Sequence, residues 1–75
     1  MKIDMELDTR GRTCPLPLLS LRRLLSKMQP GEVTRVITSD GTSAREIPAF
    51  VQRKGHEVLD SEHRDGEWTF TIRLS

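Results

Sequence analysis

The chain has 75 residues, 35% of them hydrophobic and 31% charged, with a formal net charge of +1 at pH 7. That length is about half of a typical ~150-residue domain unit, which predicts one domain spanning residues 1–75 around a single small core and excludes a two-domain enzyme. The composition excludes a disordered tail, no apolar run approaches the roughly 18 residues of a membrane helix, and Met1-Lys2-Ile3-Asp4-Met5-Glu6 lacks a signal peptide's apolar stretch, so the cytoplasm is the expected compartment.

Ile3-Asp4-Met5-Glu6-Leu7-Asp8 alternates apolar and acidic residues, which predicts a half-buried strand with Ile3, Met5 and Leu7 on one face. After a loop, Leu18, Leu21, Leu25 and Met28 recur at i, i+3, i+7 and i+10, the buried stripe of an amphipathic helix. Pro15 suits the first helical position, where its missing N–H has no intrahelical partner, and this puts Cys14 at or beside the N-cap. Gln29-Pro30-Gly31 ends the helix near Met28.

Glu32 to Ser39 is rich in β-branched residues and reads as a second strand, closed by the turn signal Asp40-Gly41. Ser43 and Glu46 have capping-box spacing, and Ile47, Phe50 and Val51 form the buried stripe of a second helix. Pro48 fits that helix only in or just after its first turn and otherwise bends its start. Arg53 and Lys54 suit the negative end of the helix dipole, Gly55 suits the position after it, and Asp40 and Arg45 are read as an ion pair shaping the turn. Glu57 to His63 and Glu67 to Leu74 form a hairpin across Asp65-Gly66, with Trp68, Phe70, Ile72 and Leu74 on the core face and Thr69, Thr71 and Arg73 on a face open to water. The order βαβαββ predicts an α+β two-layer sandwich with both helices on one face of a four-stranded mixed sheet.

A single cysteine, Cys14, excludes an internal disulfide, and His56 and His63 lie too far from it in sequence for the usual zinc spacings. No metal or cofactor is expected, and both histidines are read as surface residues. Residues 9–28 hold Arg10, Arg12, Arg22, Arg23 and Lys27 and no acid, so Cys14 lies in a basic stretch at a helix N-terminus. Pro15 and Pro17 stiffen the loop, push the cysteine outward and leave the Leu16 and Leu18 N–H groups to stabilise a thiolate. These features predict a Cys14 pKa below the ordinary thiol value. The plain alternative is a free cysteine that caps or packs against the helix. An exposed thiolate with no base, metal or second cysteine suits exchange at divalent sulfur, because one S–S bond forms as another breaks.

Leu7-Asp8-Thr9-Arg10-Gly11-Arg12-Thr13-Cys14-Pro15-Leu16-Pro17 resembles the signature of the TusA (SirA-like) sulfur-carrier family, a C-P-x-P motif after an L-D-x-x-G-x-x lead. Met28-Gln29-Pro30-Gly31-Glu32 and Arg45-Glu46-Ile47-Pro48-Ala49-Phe50 resemble its later motifs in order and spacing. The resemblance implies a βαβαββ sulfurtransferase that takes persulfide sulfur from a cysteine desulfurase or similar donor and relays it to an acceptor protein. Cys14 then bears the sulfur and Pro15 and Pro17 present it. One branch of the family feeds 2-thiouridine synthesis in tRNA; others feed molybdenum-cofactor synthesis or sulfur oxidation. Two departures bear on the pathway: Leu16 stands where the tRNA branch often has glutamate, and Gly41 where proline commonly follows the aspartate.

Arg10, Arg12, Arg22, Arg23 and Lys27 are candidates for docking an acidic patch on the partner, against the alternative of a solvated helix face. Nucleic-acid binding is the competing use of these charges, but net charge is low and Phe50, Trp68 and Phe70 are needed in the core, so no direct nucleic-acid contact is expected. A thiol redox sensor is a further alternative, without a resolving cysteine. The carrier is expected to be monomeric and to have no membrane contact.

Overall fold

The computed structural model describes residues 2–75; Met1, the first residue of the stretch read for a signal peptide, lies outside them. The element order is β1 (Met5–Asp8), α1 (Leu16–Leu25), β2 (Val33–Thr38), α2 (Gly41–Arg53), β3 (Glu57–Arg64) and β4 (Glu67–Arg73). The strands form one sheet in the order β1-β2-β4-β3, with β1 and β2 parallel and the other neighbours antiparallel. Both helices pack on one face, as the βαβαββ pattern predicts.

The register explains the core. Leu7 pairs with Val36, Val36 with Phe70, and Thr34 with Ile72, so one face of three strands carries these side chains toward the helices. Leu21 from α1, Ile47 and Val51 from α2, and Val36 and Ile72 from the sheet are fully buried together. No helix among the described residues is long and apolar enough to cross a membrane.

Several local expectations are corrected. The first strand begins at Met5 rather than Ile3, although Asp4 still pairs with Val33 through its amide (2.8 Å) and its carboxylate (2.9 Å). Helix α1 ends at Leu25; Met28 is buried all the same, because i→i+3 bonds from Lys27 to Leu24 and from Met28 to Leu25 wind the chain on tightly. The cap of α2 is not the Ser43–Glu46 box. Asp40 is the N-cap, and its carboxylate accepts from the Ser43 amide at 2.9 Å and the Ser43 hydroxyl at 2.8 Å. With that oxygen engaged, the predicted Asp40–Arg45 ion pair is not formed among the described residues.

Pro48 lies inside α2, beyond the first turn, and leaves the Ala44 carbonyl without an i+4 amide. The far end of α2 follows expectation: His56 donates to Val51 and Gly55 to Gln52, both at 3.0 Å, with Gly55 at φ +86 in the left-handed region. The hairpin is also as read. Arg64 pairs with Glu67 across a two-residue loop in which Asp65 (φ 53) and Gly66 (φ 76) both take positive φ. Thr71, placed on the face open to water, is buried between its strand neighbours Arg35 and Asp60.

Candidate functional site

The parallel pairing of β1 and β2 sends both chain exits to one edge of the sheet, and that edge carries the starts of both helices. The loop after β1 is fastened there by the backbone. Thr9 donates its amide (2.8 Å) and its hydroxyl (2.6 Å) to the Ile37 carbonyl, the Gly11 amide donates to Ser39 Oγ at 2.8 Å, and Arg12 closes a turn onto Thr9. Gly11, at φ +84, supplies the left-handed conformation this turn needs. The Cys14 amide then donates to Asp40 Oδ2 at 3.2 Å, tying the cysteine to the cap of α2.

Cys14 is exposed, as the sequence predicts for a thiol pushed outward, and its peptide bond to Pro15 is cis. The helix register is one residue later than expected: Pro15 is the N-cap, Leu16 the first helical residue, and Pro17, buried, the second. Among the described residues no side chain caps this end. The Leu16 amide, expected to be free for a thiolate, donates instead to the Thr13 carbonyl at 2.9 Å.

The expected acidification of Cys14 is overturned. Desolvation of the sulfur by its neighbours pushes the thiol above its ordinary value, and the carboxylates of Glu46 and Asp40 push it further in the same direction. The local stretch is basic, but the charges that act on the sulfur through space come from α2. The Asp40 carboxyl is itself held below the usual range by the Ser43 amide and hydroxyl and, after them, the Cys14 amide.

The five predicted cations do not form one cluster. Arg10 turns away to Asp8, at 2.6 Å, and Glu67, at 3.6 Å. Arg22 lies over the Phe50 ring, 6.0 Å from its centroid, on the side of α1 that faces α2. Arg23 and Lys27 line a shallow groove with Leu7, Ser20 and Leu24 on the β1 side. Arg12, Arg22, Arg23 and Lys27 form no ion pair among the described residues. Of the histidines, His63 stacks on Trp68 (centroids 4.2 Å, 11° between planes), and His56 Nδ1 accepts from the Ser75 amide at 3.2 Å.

Reading the sequence gave Asp40 and Glu46 turn and capping roles without bringing them to Cys14, and did not single out the exposed side chains of Leu16 (49%) and Leu19 (46%) in the first turn of α1. The Asp40-Gly41-Thr42-Ser43 spacing carried a cap signal equal to that of Ser43–Glu46. Leu16 and Leu19 fall outside the i, i+3, i+7 stripe and were legible as exposed for that reason.

This arrangement offers one exposed sulfur on a fastened loop. Comparison with known proteins points the same way. A family model described as Sulfurtransferase TusA matches residues 5–74. The sulfur carrier protein TusA of Allochromatium vinosum is 38% identical over 72 residues, covering 96% of this chain and 95% of its own. That of Pseudomonas fluorescens is 33% identical over 73 residues, covering 97% and 88%. The crystal structure of a SirA-like protein from Desulfitobacterium hafniense superposes with a TM-score of 0.81 over 92% of this chain and 95% of that one, at 21% identity, and so bears on the fold alone. A sole cysteine in a C-P-x-P turn, a βαβαββ sandwich and near full-length similarity to curated carriers make the chain a member of the TusA family of sulfur carriers.

Proposed function

We propose that Cys14 carries sulfane sulfur between two larger proteins in the cytoplasm, as a single-domain, monomeric sulfurtransferase. The observation that supports this most is the exposure of its sulfur at the start of α1, on a loop held by Thr9, Gly11 and Asp40. In the loading step the Cys14 thiolate attacks the outer sulfur of a donor cysteine persulfide. The new S–S bond forms as the donor's S–S bond breaks, and the donor leaves as a thiolate. An acceptor thiolate then attacks the outer sulfur on Cys14 and restores the free thiol. A cysteine desulfurase is the proposed donor and a downstream relay protein the proposed acceptor.

Pro15 and Pro17 present the cysteine. Arg12, Arg22, Arg23 and Lys27, without ion pairs among the described residues, are the proposed contacts to carboxylates on the partner, and Arg10 contributes less because Asp8 and Glu67 hold it. Incubation with a cysteine desulfurase and cysteine is expected to add the mass of one sulfur atom to the wild type and none to Cys14→Ser. Undiminished loading of that variant removes Cys14 from the role. Arg22→Glu with Arg23→Glu is expected to slow loading at low salt; an unchanged rate rejects the docking assignment. The proposed destination is 2-thiouridine in tRNA. Normal tRNA thiolation in a strain lacking this protein would exclude that destination and leave the carrier chemistry standing.

A further inference from the structure

Strand β1 is an edge of the sheet: β2 pairs its inner side, and no strand pairs its outer side among the described residues. An edge strand turns alternate backbone N–H and C=O groups outward, where another chain can pair with them. The opposite edge, β3, has a register irregularity between Val58 and Asp60 and carries the exposed charges Glu57, Asp60, Glu62 and Arg64, features that discourage pairing. On the helix side of β1, Met5 is exposed and Leu7 half-buried, and beside them runs the groove lined by Leu7, Ser20, Arg23, Leu24 and Lys27. The two charged side chains of this groove are both cations without an ion pair among the described residues, and no carboxylate lines it. Strand alternation turns the acids of β1 to the other face, where they are engaged, Asp8 by Arg10 at 2.6 Å and Glu6 by Arg35 at 4.0 Å.

We infer that the outer edge of β1 receives an extended segment of a partner protein as a fifth strand, with an apolar side chain over Leu7 and Leu24 and a carboxylate opposite Arg23 and Lys27. Main-chain pairing supplies the affinity in such strand addition, and alternate side chains supply the selectivity. The groove holds about 280 Å³, just below the roughly 300–1,000 Å³ of small-molecule sites, so it suits side chains of a longer chain better than a free ligand. A second copy is the wrong occupant. Antiparallel β1–β1 pairing would set Arg23 and Lys27 of the two copies against each other on one face and their acids on the other, and like charges opposed across strands are destabilising. The inference deepens the carrier reading and rests on it for the partner being a sulfur donor or acceptor. Because β1 runs toward the sheet edge that holds Cys14, a segment paired along it ends beside the exposed sulfur.

The test uses an end-blocked peptide, Thr-Val-Thr-Glu-Thr-Val-Thr, whose valines and glutamate share one face when extended. Binding is read from the amide chemical shifts of the isotopically labelled protein at millimolar peptide. Shifts are expected at Met5–Asp8 and at Ser20–Lys27, together with slower hydrogen exchange in β1. Lysine in place of the peptide's glutamate is expected to weaken binding at least roughly two- to fivefold, the factor one exposed charge pair is worth, and high salt to narrow the gap. Arg23→Glu with Lys27→Glu is expected to reverse the preference, and both positions are exposed, so the fold is kept. The same peptide with N-methylated backbone amides cannot pair and is expected not to bind. Absent shifts, shifts confined to α1, undiminished binding of the methylated peptide, or a β1-mediated dimer of the free protein would each overturn the inference. Cys14→Ser is expected to bind the peptide as wild type does. Failure of persulfide loading in wild type would instead overturn the carrier reading, so the two failures are distinguishable.

Discussion

The two helices begin side by side on one sheet edge, and they begin differently. Helix α2 is closed by Asp40 in extended geometry (φ −101, ψ 120), with Ser43 and Ala44 buried in its first turns and no large apolar side chain left exposed. Helix α1 starts at Pro15 with no side-chain cap among the described residues and shows Leu16 and Leu19 to solvent in its first turn. In α2 the Ser43 amide and hydroxyl and the Ala44 amide are all satisfied by Asp40, which favours stability. In α1 apolar surface and cations stay uncovered, which suits encounter with another protein. The Cys14 amide bond to Asp40 joins the two, so the closed start holds the open one in place.

The largest effects should come from the buried sides of both helices. Leu21→Ala and Ile47→Ala, each at a fully buried position, are expected to lower stability by about 2–5 kcal/mol. Cores this small supply only about 3–5 kcal/mol, so either variant should be largely unfolded by circular dichroism. Leu16→Ala and Leu19→Ala should cost about 1 kcal/mol or less in denaturant titrations, because those side chains are already about half exposed. A large loss at Leu16 or Leu19 would mean that the outer face of α1 is part of the core after all.

Next in size is the joint between the helix starts. Asp40→Ala removes the cap of α2 and the acceptor of the Cys14 amide together, whereas asparagine is also a good cap. Asp40→Ala is expected to lower Tm by several degrees and to speed hydrogen exchange at the Cys14 and Ser43 amides, with Asp40→Asn close to wild type in both. If exchange at Cys14 is unchanged in the alanine variant, the loop is held by Thr9 and Gly11 alone.

The outcome at this joint also shows what could be read from sequence. Periodicity located every element, because Leu21, Ile47, Val36 and Ile72 repeat with the period of the structure that buries them, and Asp65-Gly66 announced its turn by conformational need. The end of α1 was misplaced because a tight turn buries Met28 as well as a further α turn would. The cap of α2 was misassigned because two spacings competed, and Asp40 prevailed by bonding both donors of Ser43. The charge around Cys14 was misread for a deeper reason: a window along the chain counts neighbours in sequence, while Asp40 and Glu46 reach the sulfur from the other helix.

The smallest effect concerns the other carboxylate near the loop. Asp8 is held down to about 2 by the hydrogen bond from the Arg10 side chain, then by the Arg10 amide. A carboxyl with a depressed folded-state pKa contributes stability above its unfolded value of about 3.9, and that contribution is lost as pH falls through the folded value. Wild type should therefore exceed Asp8→Asn in Tm at neutral pH, and the gap should close as pH falls from about 4 toward about 2. The gap should be modest and shrink in salt, since Asp8 and Arg10 are each about half exposed. A gap that persists below that range would assign the effect to the loop turn rather than to the ionised pair. The variant also tests the open start of α1 from its other side. Asp8 withdraws one cation from the vicinity of Cys14, so Asp8→Asn frees Arg10 in part, and a faster salt-sensitive reaction of Cys14 would show that the charge at this corner is set as much by the cations the fold removes as by the acids it brings near.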